Sequence, residues 1–237
     1  MNILIVESKN DRIFVQALIE VLNIENVGVE KILIDEDDFL CLNSVDPNPK
    51  KPTNLIRKLK DIKTEIPKKG IKRIGILLDI DKNRLKDRIT LINTAIEKTF
   101  GENSFEKISN VNQPAKVRYN EDTIEILCYF TNVDDCGDLE TVLRKIAKKD
   151  AQYADCLNNW RECLTKKEIE ITDKDFDKFW VDNYIRFDTC ATKERTQADR
   201  NCSMRVFDKI LQKDVFDLSH DTLNGLREFL SKFRNTE

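Results

Sequence analysis

No apolar run in this chain approaches the roughly 20 residues that a membrane-spanning helix requires, so no membrane partner is expected. The first apolar stretch follows no basic segment and turns acidic within a few residues, unlike a signal peptide. A cytoplasmic location is the resulting expectation. Histidine is nearly missing: His220 is the sole one. No C-x-x-C pair occurs among the seven cysteines, Cys41, Cys128, Cys136, Cys156, Cys163, Cys190 and Cys202. Structural zinc sites need close pairs of Cys or His, so zinc is not expected, and the odd count reads as reduced thiols. Without G-x-S-x-G or a second histidine, nucleophilic triads have no support. Without G-x-x-x-x-G-K-[S/T] there is no ATPase phosphate loop. Charge of one sign is also lacking: 40 basic against 43 acidic residues leave a net charge of −3. That gives no global pull toward nucleic acid, although short basic runs exist at Lys50-Lys51, Lys68-Lys69 with Lys72-Arg73, and Lys82-Asn83-Arg84 with Lys86.

The chain does contain two apolar runs that end abruptly in carboxylate. Asn2 to Val6 leads into Glu7 and, through Ser8-Lys9-Asn10, to Asp11; Ile74 to Leu78 leads into Asp79-Ile80-Asp81. An unbroken apolar run followed by a helical pattern is how a parallel strand buried on both faces reads. Helical spacing follows each: Ile13, Phe14, Ala17, Leu18, Val21 and Leu22 after the first, and Leu85, Ile89, Ile92 and Ile96 after the second. Between them a strand is expected at Val27 to Ile34, a long loop from Asp35 to Pro52, and a helix from Thr53 carrying Leu55, Ile56, Leu59 and Ile62 that stops before Pro67 and Gly70. A strand at Thr123 to Phe130, with a shorter one near Lys116 to Tyr119, precedes the acidic turn Asp134-Asp135-Cys136-Gly137-Asp138. A helix then buries Leu139, Val142, Leu143 and Ile146.

From there onward the pattern is helical, with Trp160, Phe176, Phe179, Trp180 and Tyr184 as expected core aromatics. The closing helix carries Leu223, Leu226, Phe229, Leu230 and Phe233. This is the pattern of an α/β protein: a mostly parallel sheet flanked by helices, with a helical C-terminal extension. The expected division is residues 1–148 as α/β core and 149–237 as extension, forming one structural unit.

Ligands of such sheets sit beyond the carboxyl ends of the strands. Glu7 and Asp11 lie four apart, and Asp79 and Asp81 two apart, which on a continuous strand puts both on one face. Crowded carboxylates repel unless a cation neutralises them, so a divalent metal site is the leading expectation. Magnesium takes hard oxygen ligands, and a pair of ions roughly 3.5–4 Å apart can clamp the attacking and leaving oxygens of a phosphodiester.

Val6-Glu7-Ser8-Lys9-Asn10-Asp11 resembles the V-E-G-x-x-D opening of the Toprim domain, and Leu77-Leu78-Asp79-Ile80-Asp81 resembles its D-x-D strand. The chain is similar to small stand-alone Toprim-related proteins akin to the nuclease domain of the overcoming-lysogenisation-defect family. Gly137-Asp138-Leu139-Glu140, Lys193-Glu194-Arg195-Thr196, and the tail from Phe216 to His220 and from Leu226 to Leu230 carry the rest of the likeness. The resemblance implies a Mg2+- or Mn2+-dependent nuclease acting on DNA or RNA in defence or DNA repair. It implies a separate ATPase partner and is compatible with a homo-oligomer. It implies Glu7 as metal ligand and proton carrier, Asp11, Asp79, Asp81 and Glu140 as further metal ligands, and Lys193 as the cation for transition-state charge. One metal would activate water while the other steadies the leaving oxygen. Lys9, Lys82 and Arg84 would hold the phosphate backbone. Ser8 replaces the motif's glycine, which costs stability if that turn needs a positive φ.

Plainer readings exist residue by residue. Glu7 can be an exposed strand-end acid, Asp11 a helix cap, Asp81 the start of a turn, Glu140 a first-turn acid favoured by the helix dipole, and Lys193 solvated surface. His220, ahead of the last helix, reads as a capping or packing residue. Two rival functions stay open: a receiver-like signalling module, and a Toprim-derived scaffold that binds without catalysis.

Overall fold

The pentapeptide Asn2–Val6 forms β1, and its four apolar residues are all but inaccessible to solvent. Such a strand must be covered on both faces and flanked on both edges, and it is. The computed structural model describes residues 1–31 and 53–234. The expected loop from Asp35 to Pro52, the end of the expected second strand, Cys41 and the pair Lys50-Lys51 lie outside the described residues.

The described chain is mixed α/β, with a five-stranded, mostly parallel sheet flanked by helices and further helices toward the C-terminus. It divides into two compact units. One comprises Met1–Leu78, Asn83–Phe130 and Leu226–Glu237; the other comprises Asp79–Lys82 and Thr131–Gly225.

In the first unit the strands are ordered β2-β1-β3-β5-β4, with β2 at Val27–Lys31, β3 at Arg73–Asp79, β4 at Ala115–Tyr119 and β5 at Asp122–Thr131. β1 runs parallel to both neighbours, with Val6 opposite Lys31 on one side and Leu77 on the other. The switch point of the sheet therefore lies between β1 and β3, where the chain order reverses. β4 and β5 form an antiparallel hairpin turned by Asn120, whose positive φ of 55° asparagine tolerates.

Helix α1 (Lys9–Val21) buries Phe14, Val15 and Leu18. Helix α2 (Thr53–Lys69) runs past the point where it was expected to stop, because Pro67 sits inside its last turn. Burial of Ile62 and Ile66, each 1% exposed, holds that turn against the lost amide. The helix ends instead at Gly70, whose φ of 59° lets Ile71 N–H reach Ile66 O at 3.3 Å, a Schellman closure. Helix α3 (Leu85–Phe100) buries Ile89, Ile92 and Ile96 as its spacing predicts, while Leu85 is exposed.

The C-terminal residues count with this unit. Phe229 and Phe233 lie where a Cβ on Gly75 would collide with them, at 3.0 and 2.6 Å, so glycine in β3 makes room for both rings. Asn2 Nδ2 ties the closing turn through Phe233 O at 3.0 Å.

The second unit is helical: α4 (Leu139–Lys145), α5 (Gln152–Thr165), α6 (Asp173–Asn183), α7 (Thr192–Arg195), α8 (Ala198–Asn201) and α9 (Phe207–Gln212). Phe176, Trp180 and Tyr184 are buried as expected, but Trp160 and Phe179 are not core residues. They are 38% and 43% exposed and cover one another, ring centroids 5.3 Å apart. Periodicity alone could not separate them from the core, because α5 buries only Ala154. His220 caps a short 3-10 turn, its Nδ1 accepting from Thr222 N–H at 3.1 Å. Not all thiols are reduced: Cys190 and Cys202 form a disulfide, their Cα atoms 6.2 Å apart. The intervening segment, which carries α7 and α8, brings them together across a sequence separation of 12, a spacing without a sequence pattern.

Candidate acidic site

The centre of the second unit's site is a backbone pairing. Asp81 and Gly137 exchange both amide bonds, Asp81 N–H to Gly137 O at 2.8 Å and Gly137 N–H to Asp81 O at 3.0 Å. Asp81 adopts a left-handed conformation, φ 53°. The strand ends at Asp79, so Asp79 and Asp81 do not share the face of a continuous strand as their spacing suggested. Aspartate accepts this geometry because its short side chain tolerates the left-handed region. Opposite it, Asp134 and Asp135 both have positive φ and turn a two-residue hairpin closed by Val133 and Cys136. Gly137, φ 96°, could not be another residue: a Cβ there would lie 2.5–2.8 Å from three Thr141 side-chain atoms.

That tight packing seats Asp138, only 1% exposed, as the N-cap of α4. Its Oδ1 accepts from Thr141 N–H and Thr141 Oγ1, both at 3.2 Å. Its Oδ2 is buried and accepts no hydrogen bond. Lys174, second residue of α6, supplies the nearest recorded charge: its Nζ lies 3.6 Å from Asp138 Oδ2 and donates to Asp81 Oδ1 at 2.7 Å. Burial alone would lower the Lys174 pKa, but the Asp81 bond and the charges of Asp81, Asp138 and Asp79 outweigh it and push it well above the ordinary lysine value. α6 is held against α4 by Arg144, which donates to the buried Asp177 at 2.8 Å and stacks over Phe176 and Trp180. The ammonium is thus placed by a packed frame.

The residues singled out in the sequence are distributed as follows. Glu7, half-buried, follows β1. Asp11, buried, is the third residue of α1 and closes a capping box: its Oδ2 accepts Ser8 N–H at 2.8 Å, and Ser8 Oγ accepts Asp11 N–H at 3.2 Å. Ser8 has φ −126°, so the turn does not need the motif's glycine. Lys9 and Lys82 are exposed, and Arg84 is exposed but paired with Asp87 at 2.9 Å. Glu140, half-buried, lies in the first turn of α4. Lys193 is exposed on α7, and the ammonium recorded against the acids is that of Lys174.

One family comparison matches nearly the whole chain, residues 1–235, to the family described as protein of unknown function (DUF3226). The chain belongs to the DUF3226 family. No curated protein and no solved structure matches it.

Two residues of this candidate site are assigned no role by the sequence motifs above. Asp138 had a local signal, since Asp-x-x-Thr before an apolar run is a cap; Lys174 had none, standing among surface charges 93 residues from Asp81. The donor set suits a hard divalent cation, since the buried Asp138 oxygen lacks a donor while carboxylates prefer such ions. The carboxylates are not drawn up as a finished cage. Among the described residues, the group with ligand atoms all within 4.8 Å is Cys190, Glu194 and Cys202.

Proposed function

We propose that this DUF3226 chain is a Toprim-type nuclease that hydrolyses phosphodiester bonds of DNA or RNA with Mg2+ or Mn2+. The observation that carries the reading is the Asp138 oxygen, buried without a hydrogen bond and facing Lys174 beside Asp81. A bound divalent cation would supply Lewis-acid activation of water and neutralise the developing phosphate charge. In this reading Asp79 and Asp81 hold it from the end of β3, with Asp138 and Glu140 from the start of α4; the Toprim resemblance adds Glu7 and Asp11 as ligands. β1 and β3 flank the sheet's switch point, where ligands of such sheets bind. Glu7 carries the proton; Lys9, Lys82 and Arg84, with Lys193, meet phosphate. A cytoplasmic location, a separate ATPase partner and a homo-oligomer belong to the same proposal. No described helix is long and apolar enough to cross a membrane.

A second reading has one observation in its favour. Lys174 already meets Asp81 and Asp138, so the chain can be a Toprim-derived scaffold in which an ammonium replaces the ion. The antiparallel β4–β5 hairpin weighs against the receiver-like alternative, whose sheet is parallel.

The deciding experiment incubates purified protein with end-labelled single-stranded DNA, duplex DNA and RNA in Mg2+, Mn2+ or EDTA. Cation-dependent cleavage by the wild type that disappears in both Asp79→Asn and Asp81→Asn supports the nuclease. Absence of cleavage of every substrate favours the scaffold, and cleavage surviving in both variants rules out these residues as the site.

A further inference from the structure

The second unit holds another chemically distinctive group. The sulfurs of the Cys190–Cys202 disulfide lie in different surroundings. Cys202 lines a cavity of about 530 Å3 whose walls include Phe179, Phe187, Met204 and Arg186. Cys190 faces Lys213, whose Nζ lies 3.2 Å from its sulfur. Lys213 is fixed there by Glu194 Oε1 at 2.8 Å and Asn201 O at 3.3 Å. Both cysteines are buried, Cys190 4% and Cys202 2% exposed, and pack with Ala198.

We propose that this pair is a thiol–disulfide exchange site, with Cys202 the sulfur attacked and Cys190 the leaving group. The partner is a low-molecular-weight thiol, because a cavity of this size falls in the range that takes a small ligand. The inference does not depend on the nuclease reading. A thiolate R–S⁻ entering the cavity forms a bond to Cys202 Sγ as the Cys190–Cys202 bond breaks, and the electron pair of that bond leaves on Cys190 Sγ. The Lys213 ammonium stabilises this thiolate, and a lower leaving-group pKa speeds exchange. A second R–S⁻ then attacks the R sulfur of the mixed disulfide, giving R–S–S–R and a Cys202 thiolate. Two R–SH are consumed, their protons going to the two cysteines. Reduction opens the loop that holds α7 and α8, and with it Lys193 and Glu194.

The test caps free thiols with N-ethylmaleimide, then treats the native protein with reduced glutathione. Samples quenched with isotopically labelled N-ethylmaleimide are digested with trypsin, which cleaves at Lys193, Arg195 and Arg200 and puts the two cysteines on separate peptides. Glutathione is expected on the Cys202 peptide and the labelled maleimide on the Cys190 peptide at early times. Lys213→Met is expected to slow the first step by roughly threefold, the effect of about one unit of leaving-group acidity, and Lys213→Arg to restore most of it. Glutathione found chiefly on Cys190, or no reaction until denaturant is added, overturns the proposal. The wild-type mapping decides the matter even if the Lys213 variants fail to fold.

Discussion

Lys174 Nζ bonds Asp81 Oδ1 at 2.7 Å across 93 residues of sequence, with the buried Asp138 carboxylate 3.6 Å away. An ammonium therefore stands where the proposed function would put a metal ion. The side chain of Lys174 is 43% exposed and that of Asp138 2%, so solvent screens one partner and hardly the other. Removing the lysine leaves the buried acid without this charge.

Lys174→Met should lower stability by about 1–2 kcal/mol, less than for a fully buried pair because screening weakens it. The Lys174 pKa is raised, so its contribution is complete below the ordinary lysine value of 10.5 and is lost only as pH rises through the higher folded value. The gap between wild type and variant should stay constant from about pH 6 to 9. Mn2+ should restore the variant's melting temperature more than it raises the wild type's. Calorimetry at several pH values, with and without Mn2+, checks both statements.

Asp138 combines a cap with a charge, and two substitutions separate them. Asp138→Asn keeps an oxygen for Thr141 and should change stability by less than about 0.5 kcal/mol while weakening Mn2+ binding roughly tenfold. Asp138→Ala should lose the cap as well, about 1 kcal/mol. Denaturant unfolding beside Mn2+ titration distinguishes the pair.

Gly137→Ala meets both a positive φ and the Thr141 side chain, and should cost about 2–3 kcal/mol. A companion Gly137→Ala, Thr141→Ser variant should recover part of that loss, because the Cγ2 contact disappears. Urea midpoints measure it.

Burial pushes the Cys128 thiol up to about 12, whereas Cys136, Cys156 and Cys163 are exposed. Iodoacetamide at about pH 8 should modify those three and spare Cys128 until the protein unfolds. Peptide mass spectrometry reads the sites.

Strand β1 and most of β3 were legible because a short apolar run such as Ile3 to Val6, stopped by a carboxylate and followed by a helical pattern, fits a strand buried on both faces. The first turn of α1 was legible only in part: Asp11 read as a cap, whereas the N-cap is Ser8 and Asp11 closes the box from the third helical position. Asp81 was not legible. Its spacing from Asp79 reads as strand alternation, and only the pairing with Gly137, 56 positions on, turns it left-handed. Lys174 is placed by the Arg144–Asp177 frame and by the fold, so no local pattern announces it. Pro67 misled in the opposite direction: tertiary burial of Ile62 and Ile66 carried α2 through a residue that usually stops a helix. The Trp160–Phe179 pair shows the same limit, because each ring covers its partner rather than the core.

The most direct test is isothermal titration of Mn2+ into the wild type, Asp79→Asn, Asp138→Asn and the double variant. The account predicts saturable binding that each single substitution weakens by roughly tenfold or more, with double-variant losses that fail to add because both side chains serve one ion. Strictly additive losses, or a wild type that binds no Mn2+ at all, would contradict it.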